Sequence, residues 1–248
     1  MRPIRISILG IDGSGKSTTT LRAIQRLGDQ FPICKTGRSP FSVREGRISP
    51  CLPKTATFFE NLFTRVDATQ KRGWIGLTRI FFVFFQGWLE SYMVKRYGPH
   101  IVMATRCMII DSAIYTDFYY PRMSQRLPMG RKLKFAQQSC RLPFRDLYFF
   151  LTTPVPMAME RIYKRISDDH PEITYGRDYW LHLHKNEETL QRLDGRFREA
   201  LHLARAMKPF KVVEIDTAKH TEEEVTQFIT GYSMAFCEGN SFEEWKRI

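Results

Sequence analysis

The chain has 248 residues and a formal net charge of +12, from 38 lysine and arginine residues against 26 aspartate and glutamate residues. Hydrophobic residues make up 43% of it, which excludes a disordered chain and suffices for one α/β domain over residues 1–248. Five widely spaced cysteines without a C-x-x-C pair argue against a disulfide framework or a zinc site, and we expect a cytoplasmic protein.

The basic residues are spread along the chain rather than gathered in one tail. Their excess favours nucleic acid or an anionic membrane surface as a partner, and a solvated basic surface is the competing interpretation. The apolar segment 75–94 (IGLTRIFFVFFQGWLESYMV) is long enough to suggest a membrane span, but Arg79, Gln86 and Glu90 interrupt it. Because such side chains are costly in a bilayer core, we predict a buried helix there.

Taken in chain order, the predicted elements alternate between strand and helix. Short apolar runs predict five strands: IRISILG (4–10), FPICKTG (31–37), CMIID (107–111), RDLYFFLTT (145–153) and FKVVEID (210–216). Helical spacing follows in 17–31, 75–97, around 131–140, and in 154–166, 179–207 and 221–236. Residues 38–73 are rich in Pro, Gly, Ser and Arg and are predicted to be a long irregular excursion. The pattern predicts an α/β fold, a parallel five-stranded sheet flanked by helices, with ligands at the carboxyl ends of its strands.

A phosphate-binding loop follows the first strand. Residues 10–17 read G-x-x-x-x-G-K-S and lie between a predicted strand and a predicted helix, which is the context this pattern requires. Its glycines let backbone N–H groups face phosphate oxygens, its lysine reaches the β- and γ-phosphates, and its serine hydroxyl ligates Mg²⁺. The predicted nucleotide-binding residues of the loop are Gly10, Gly13, Ser14, Gly15, Lys16, Ser17 and Thr18.

Two aspartates are candidates for the chemistry beside this loop. Asp12 lies inside it, where a carboxylate repels phosphate unless it holds a metal ion or contacts the acceptor; a simple turn residue is the alternative. Asp111 ends the third predicted strand, where a second carboxylate can hold hydrated Mg²⁺ together with Ser17. An aspartate that caps the next helix is the alternative for Asp111.

A basic helix face precedes the irregular segment SDDHPEITYGRD. Arg161, Lys164 and Arg165 are three and four residues apart and therefore share one side of the helix. Arginines on a lid over residues 161–180 would place positive charge on a phosphoryl group in transfer and exclude water. The competing interpretation is a solvated basic surface.

Five segments together resemble the thymidylate kinase family of P-loop nucleoside monophosphate kinases. They are GIDGSGKSTT (10–19), GRSP (37–40), IIDSAIYTD (109–117), RDLYFFLTTPVPMAMERIYKR (145–165) and VVEIDTAKHTEEEV (212–225). The resemblance implies an ATP- and Mg²⁺-dependent kinase with a core parallel sheet, an arginine-bearing lid and often a homodimer. Carried over by position, it places Asp12 near the metal and the acceptor, Arg38 near the acceptor phosphate, Arg161 and Arg165 in the lid, and Thr217 and Ala218 beside the adenine.

The chain departs from the family on the acceptor side. Family members usually have Arg-Glu-Pro where this chain has Arg38-Ser39-Pro40, and Asp-Arg-aromatic where it has Asp111-Ser112-Ala113. They also usually carry an arginine on the helix that here contains Gln86. We therefore expect a phosphotransferase that uses ATP and acts on a nucleotide, nucleoside or related acceptor other than ordinary thymidylate. The predicted acceptor-side residues are Arg38, Gln86, Tyr115 and Asp117.

The nature of the acceptor leaves alternatives open. An alcohol acceptor requires a carboxylate as base, and Asp12 and Asp117 are the candidates, although Asp117 is equally compatible with a turn. A kinase acting on a nucleic-acid-borne or membrane-associated acceptor would use the surplus positive charge. A non-catalytic module that binds a nucleotide and signals through the lid is the third interpretation.

Overall fold

The computed structural model describes residues 2–37, 39–69, 71–119, 126–168 and 186–239. Its strands are β1 (Ile4–Gly10), β2 (Ile33–Thr36), β3 (Phe41–Arg44), β4 (Arg47–Pro50), β5 (Ile101–Ala104), β6 (Leu147–Thr152) and β7 (Lys211–Asp216). Its helices are α1 (Lys16–Gly28), α2 (Pro53–Ala68), α3 (Arg72–Tyr97), α4 (Met108–Tyr119), α5 (Met129–Cys140), α6 (Val155–Asp168), α7 (Glu187–Met207) and α8 (Glu222–Glu238).

The described strands form one sheet in the order β4-β3-β2-β5-β1-β6-β7. The five strands β2, β5, β1, β6 and β7 are parallel, and β3 and β4 add an antiparallel hairpin at one edge. The predicted α/β class with a parallel sheet flanked by helices is therefore confirmed. The sheet has seven strands rather than five because of the hairpin.

The third predicted strand was wrong. The strand is Ile101–Ala104, whereas Met108 to Ile110 form the first turn of α4 and Asp111 lies in that turn rather than at a strand end. Short apolar runs do not distinguish a strand from a buried helix by periodicity, and the run at 107–110 is as apolar as the strand itself. The residues that directly follow the strand are therefore Thr105 and Arg106.

The irregular excursion predicted for residues 38–73 was also wrong. The hairpin β3–β4 and the helix α2 lie within it. All four residues of β4 are exposed, so the strand carries no apolar alternation that could be detected in the sequence. The helix α2 begins at Pro53, whose fixed φ suits the first helical position.

Helices cover both faces of the sheet because successive strand residues face opposite sides. In β6, Phe149 and Leu151 pack with α1 and α8, whereas Tyr148 and Phe150 pack with α4 to α7. Every residue of this strand except the last is buried, as expected for a parallel strand covered on both faces.

Helix ends follow local capping chemistry. The helix α7 starts at Glu187 because the Asn186 side chain accepts a hydrogen bond from the Thr189 N–H at 2.8 Å. The sequence predicted this helix to start at residue 179, and residues 179–185 lie outside the described residues. Thr221 and Glu224 form a capping box before α8.

Among the described helices, none is both long and apolar enough to cross a bilayer. The single domain over 1–248 stays a prediction, and residues 169–180 of the predicted lid are outside the described part.

Candidate active site

The carboxyl ends of the parallel strands bring four loops to one edge of the sheet. The phosphate-binding loop follows β1, Gly37 follows β2, Thr105 follows β5, and Thr217 follows β7. Ligands of open α/β sheets bind at this edge, beside the point where neighbouring loops diverge.

The geometry of the phosphate-binding loop requires its glycines. A Cβ at Gly13, whose φ is +85°, would lie 2.4 Å from the carbonyl oxygen of Ala158, and one at Gly10 would lie 2.6 Å from the carbonyl oxygen of Leu151. The following helix α1 begins at Lys16 without a side-chain cap and without an acidic residue in its first turn. Its first N–H groups and its dipole therefore suit an anion.

Lys16 lies folded back onto this loop. Its Nζ donates to the carbonyl oxygen of Ile11 at 2.8 Å and to Oδ1 of Asp12 at 3.2 Å. Burial lowers the pKa of Lys16 below its ordinary value, against the opposing effect of Asp12. Asp12 thus balances the lysine charge in this arrangement, and a phosphate group at the loop would compete with it for the ammonium.

Ser17 and Asp111 line the same cleft next to Lys16. The Asp111 Oδ2 accepts a hydrogen bond from the Cys107 N–H at 2.8 Å, which fixes the carboxylate at the start of α4. Burial raises the pKa of Asp111 to about 6, against the opposing effects of Arg106 and Lys16. A hydroxyl and a carboxylate are oxygen ligands of the kind Mg²⁺ uses beside substrate phosphates, so this pair fits the predicted Mg²⁺ site.

The described residues contain no cluster of three or more His, Cys, Asp and Glu side chains that could hold a metal ion.

Arg161 of α6 contacts both the phosphate-binding loop and the loop after β7. Its Nη1 donates to the carbonyl oxygen of Gly13 at 3.4 Å and to Oγ1 of Thr217 at 3.3 Å, and its Nη2 donates to the Thr217 carbonyl oxygen at 3.2 Å. The Thr217 hydroxyl is also within 2.7 Å of the Thr153 hydroxyl. The structure thus brings Arg161 and Thr217, both predicted site residues, against the phosphate-binding loop, and Ala218 follows directly.

A cleft with a volume of about 350 Å³ begins at Ser17 and runs between β2, α3 and α4. We call it the central cleft, and its volume falls within the range of about 300–1,000 Å³ for small-molecule sites. Three of the predicted site residues besides Ser17 line it: Gln86, Asp111 and Tyr115. Other polar lining residues are Lys35, Arg79, Glu90, Arg106, Ser112 and Arg145.

The wall of the central cleft contains a buried ion pair. Arg145 Nη1 donates to both carboxylate oxygens of Glu90, at 2.8 and 2.7 Å, and Arg5 Nε donates to Glu90 Oε1 at 3.0 Å. Elsewhere in the wall, Arg79 Nη2 donates to both carboxylate oxygens of Asp67, at 2.9 and 2.7 Å. Arg79 and Arg145 are therefore both engaged by carboxylates of the protein itself.

Gln86 is held by the loop after β2. Its Nε2 donates to the Gly37 carbonyl oxygen and its Oε1 accepts from the Gly37 N–H, both at 3.1 Å. An amide with this pattern can equally pair with the edge of a planar heterocycle that offers one donor and one acceptor. Release from Gly37 would make that pairing available.

The structure changes the assessment of the missing arginines. With the strand ending at Ala104, Thr105-Arg106 stands where the resemblance expects the Asp-Arg pair, so an arginine is present and the aspartate is replaced by Thr105. Arg79, two helical turns before Gln86, supplies a second arginine on the same helix. Both line the central cleft, and the sequence analysis used Arg79 only as an argument against a membrane span.

Asp117 lies apart from the central cleft. It is buried in an ion pair with Lys132 Nζ, and its Oδ2 lies 3.4 Å from Arg196 Nε. These contacts connect α4 with α5 and α7, so we leave Asp117 out of the proposed chemistry. Two further predicted site residues, Arg38 and the side chain of Arg165, lie outside the described residues.

No protein-family model matches this sequence, and no curated protein sequence matches it. Three solved structures of deoxyadenosine kinase from M. mycoides match its fold. They are the complex with the products dCMP and dCDP (TM-score 0.58, 15% identity), that with dCTP (0.54, 17%) and that with dATP (0.55, 17%). The matches cover 93–94% of this chain and 100% of those chains.

The sheet order and the phosphate-binding loop define a P-loop α/β protein, with a mostly parallel sheet flanked by helices. Within that class the fold is the one found in the deoxyadenosine kinase structures. At this level of identity the similarity shows the fold alone and does not single out the thymidylate kinases.

Proposed function

We propose that the protein is an ATP- and Mg²⁺-dependent kinase that transfers the γ-phosphate to a nucleoside or a nucleoside monophosphate. The observation that carries this proposal is the position of the central cleft, which begins at Ser17, directly after the loop lysine. An acceptor in the cleft would present its reactive oxygen at the phosphate end of the donor site. The structural neighbours are deoxyadenosine kinases that hold dATP, dCTP or dCMP, and this supports a nucleoside-type acceptor for the present chain.

The part of the cleft lined by α3 suits an uncharged base. Arg79 and Arg145 already donate to Asp67 and Glu90, so both guanidinium groups are engaged by the protein itself. Phe82, Val83, Met108 and Leu142 supply apolar walls, and Gln86 supplies one donor and one acceptor. A heterocyclic base in this part would place its sugar toward Ser17 and Asp111.

The near end of the cleft suits an anion or a reacting hydroxyl. Arg106 lines it and is close enough to Lys16 to contribute to lowering the pKa of that lysine, so positive charge converges where phosphate is expected. When the acceptor is a hydroxyl, Asp12 would accept its proton. Bound Mg²⁺, held by Ser17 and Asp111, would neutralise phosphate charge.

The acceptor class is tested with γ-labelled ATP and a panel of deoxynucleosides and their monophosphates. We expect ATP consumption that depends on one acceptor, and the proposal fails when no nucleoside or nucleotide is phosphorylated. Arg106→Ala separates the two classes: it should raise KM about 10- to 100-fold for a monophosphate acceptor, since a charge-assisted contact is lost, and far less for a nucleoside.

Thymidylate is expected to be a poor acceptor, with kcat/KM at least about a hundredfold below that of the best acceptor. Arg79 is already paired with Asp67, and the amide of Gln86 stands on the helix where the resemblance expects an arginine. Each missing charge-assisted contact costs about 1.5–3 kcal/mol, or one to two decades in affinity. Steady-state kinetics on thymidylate and on the best acceptor measure the ratio, and equal values would mean that Arg106 and Arg79 together replace the family arginines.

Arg161→Ala should lower kcat about 10- to 100-fold, with a smaller change in KM for ATP, because charge beside the loop is needed most when the phosphoryl group is in transfer. Arg205→Ala, which removes an exposed arginine in the last turn of α7, is the matched control and should turn over normally. If KM for ATP rose while kcat stayed unchanged, Arg161 would act only by bracing Gly13 and Thr217.

A further inference from the structure

The outer face of α5 carries an excess of positive charge. Residues 126–145, which contain this helix, include six lysine and arginine residues and no aspartate or glutamate, and six is half of the net charge of +12. Two of the six are neutralised inside the protein, since Lys132 pairs with Asp117 and Arg145 pairs with Glu90. The other four are exposed: Arg126, Arg131, Lys134 and Arg141.

The surrounding protein does not balance these four charges. Within the described part of the chain, no carboxylate lies at salt-bridge distance from any of them. The neighbouring helix α7 brings Arg196 to within 3.4 Å of Asp117, which also pairs with Lys132 of α5, and its Glu199 is already engaged by Arg196 at 2.6 Å. The outer face of α5 therefore attracts anions.

A single aromatic ring lies among these cations. Phe135 is 71% exposed, more than any other large apolar side chain that the structure describes. It comes four residues after Arg131 and directly after Lys134, so the ring and the cations share one side of the helix. The opposite side of α5 packs into the core through Met129, Leu133, Ala136 and Cys140. Phe135 is thus presented to solvent rather than used for folding.

A membrane surface fits this face poorly. A helix that lies on a membrane inserts a broad apolar face, whereas the apolar side of α5 is buried in the protein and Phe135 is the one large apolar side chain that this helix exposes. A folded protein partner fits poorly as well. One ring offers at most about 150–250 Å² of apolar contact, against the ~800 Å² per partner of a standard protein interface.

Cations around one exposed ring match the chemistry of a single-stranded nucleic acid. Its phosphates pair with basic side chains, and its unpaired bases have faces that stack on an aromatic ring. Arg131, Lys134 and Arg141 extend over about 15 Å of helix, a length over which several phosphates of one strand can be reached. We infer that the outer face of α5 binds single-stranded nucleic acid, with a base on Phe135 and phosphates on these three side chains.

This surface is separate from the candidate active site. None of Arg126, Arg131, Lys134, Phe135 and Arg141 lines the central cleft. Binding of a nucleic acid strand here therefore does not depend on the proposed phosphotransfer, and it is measured without ATP or an acceptor.

Fluorescence anisotropy of the full chain with a labelled oligo-dT of about 20 nucleotides tests the inference. Each ionic contact to a single strand contributes about −0.7 to the slope of log K against log[salt], so three contacts predict a slope near −2. The double variant Arg131→Ala with Lys134→Ala should make that slope shallower by about 1.4. Phe135→Ala should weaken binding about 5- to 100-fold with an unchanged slope, because it removes a stacked base but no charge.

Two matched controls remove a similar side chain elsewhere. Lys211→Ala changes an exposed lysine on β7, and Tyr163→Ala changes a ring on α6 that is 62% exposed; both should bind oligo-dT like the parent. Lys16→Ala should also retain binding, and a loss confined to that variant would place the strand in the phosphate-binding loop and overturn the inference. Oligo-U in place of oligo-dT identifies the preferred sugar, and tight binding of either strand supports the inference.

Four results would contradict the assignment. They are no binding by the parent at low salt, an equal loss in Lys211→Ala and in the α5 double variant, binding by Phe135→Ala equal to that of the parent, and equal affinity for polyglutamate, which has the charge but no bases. Phosphatidylserine vesicles provide the remaining arm: vesicle binding that Phe135→Ala abolishes, without affinity for oligo-dT, would identify a membrane surface and overturn the inference.

Discussion

Lys16→Ala is expected to lower phosphotransfer by about 10³-fold or more while the fold stays intact. The ammonium of Lys16 lies within the phosphate-binding loop, where burial lowers its pKa and Asp12 and the Ile11 carbonyl oxygen hold it. When the nucleotide is bound, the same ammonium can turn to the β- and γ-phosphates, where its charge is most needed in the transition state. Single-turnover transfer from labelled ATP measures the loss directly.

Two matched variants make this result interpretable. Lys211→Ala removes an exposed lysine at the start of β7, at the opposite edge of the sheet, and should leave turnover unchanged. Lys16→Arg retains the charge but not the compact shape of the ammonium, and it should recover only a small part of the activity. Activity of Lys16→Ala within tenfold of the parent would remove the loop from the chemistry and favour the non-catalytic nucleotide-binding interpretation.

The donor side was predictable because its signal is local. The loop glycines, Lys16 and Ser17 lie within eight consecutive residues, and the loop conformation follows from those residues and their flanking strand and helix. The strand β6 was equally clear, since a run of buried aromatic and aliphatic residues has no other stable location in an α/β fold. The spacing of residues within one segment is therefore enough to predict the phosphate-binding half of the site.

The acceptor side was not predictable in the same way. The central cleft assembles residues from β2, α3, α4 and the loops after β5 and α5, which approach one another only in the folded sheet. The misplaced third strand moved the expected arginine position from Arg106 to Ser112. Because the strand end was predicted a few residues too late, the predicted acceptor site lacked an arginine. The folded protein has Arg106 at that place.

One sequence signal could have identified the wall of the cleft. Arg79, Gln86 and Glu90 are the charged and amide residues of a largely apolar helix segment, and they are seven and four residues apart. That spacing places them on one helix face, so the side chains that argue against a membrane span also define a polar surface directed into the fold. The aromatic residues between them divide into the buried cluster around Phe82 and the exposed rings of Phe81, Phe84 and Trp88.

The buried ion pair of Glu90 and Arg145 leads to the second large expected effect. Both side chains are at most 2% exposed, and the guanidinium also donates through Nε to the Ser7 hydroxyl at 3.2 Å. Ser7 Oγ in turn lies 3.5 Å from the carbonyl oxygen of Arg106. The pair therefore supports both the wall of the cleft and the loop that carries Arg106.

Arg145→Met is expected to lower the free energy of unfolding by about 3–5 kcal/mol, because Glu90 remains buried with only Arg5 to balance its charge. For a protein of this size that loss corresponds to a fall of roughly 6–20 °C in Tm. Urea and thermal denaturation of the isolated variant measure the two quantities. We also expect weaker acceptor binding in the folded fraction, since Arg145 lines the central cleft.

Arg198→Met is the surface control for this prediction. Arg198 also pairs with two carboxylates, Asp194 at 3.0 Å and Glu214 at 2.9 Å, but all three side chains are partly exposed, and such pairs contribute about 0–1 kcal/mol. The double variant Arg145→Met with Glu90→Leu also removes the carboxylate and should regain part of the stability, less the cost of leaving the 12% exposed Arg5 without Glu90. A single variant as stable as the parent would mean that Arg5 alone balances Glu90, and the cleft wall would then owe its rigidity to its apolar packing.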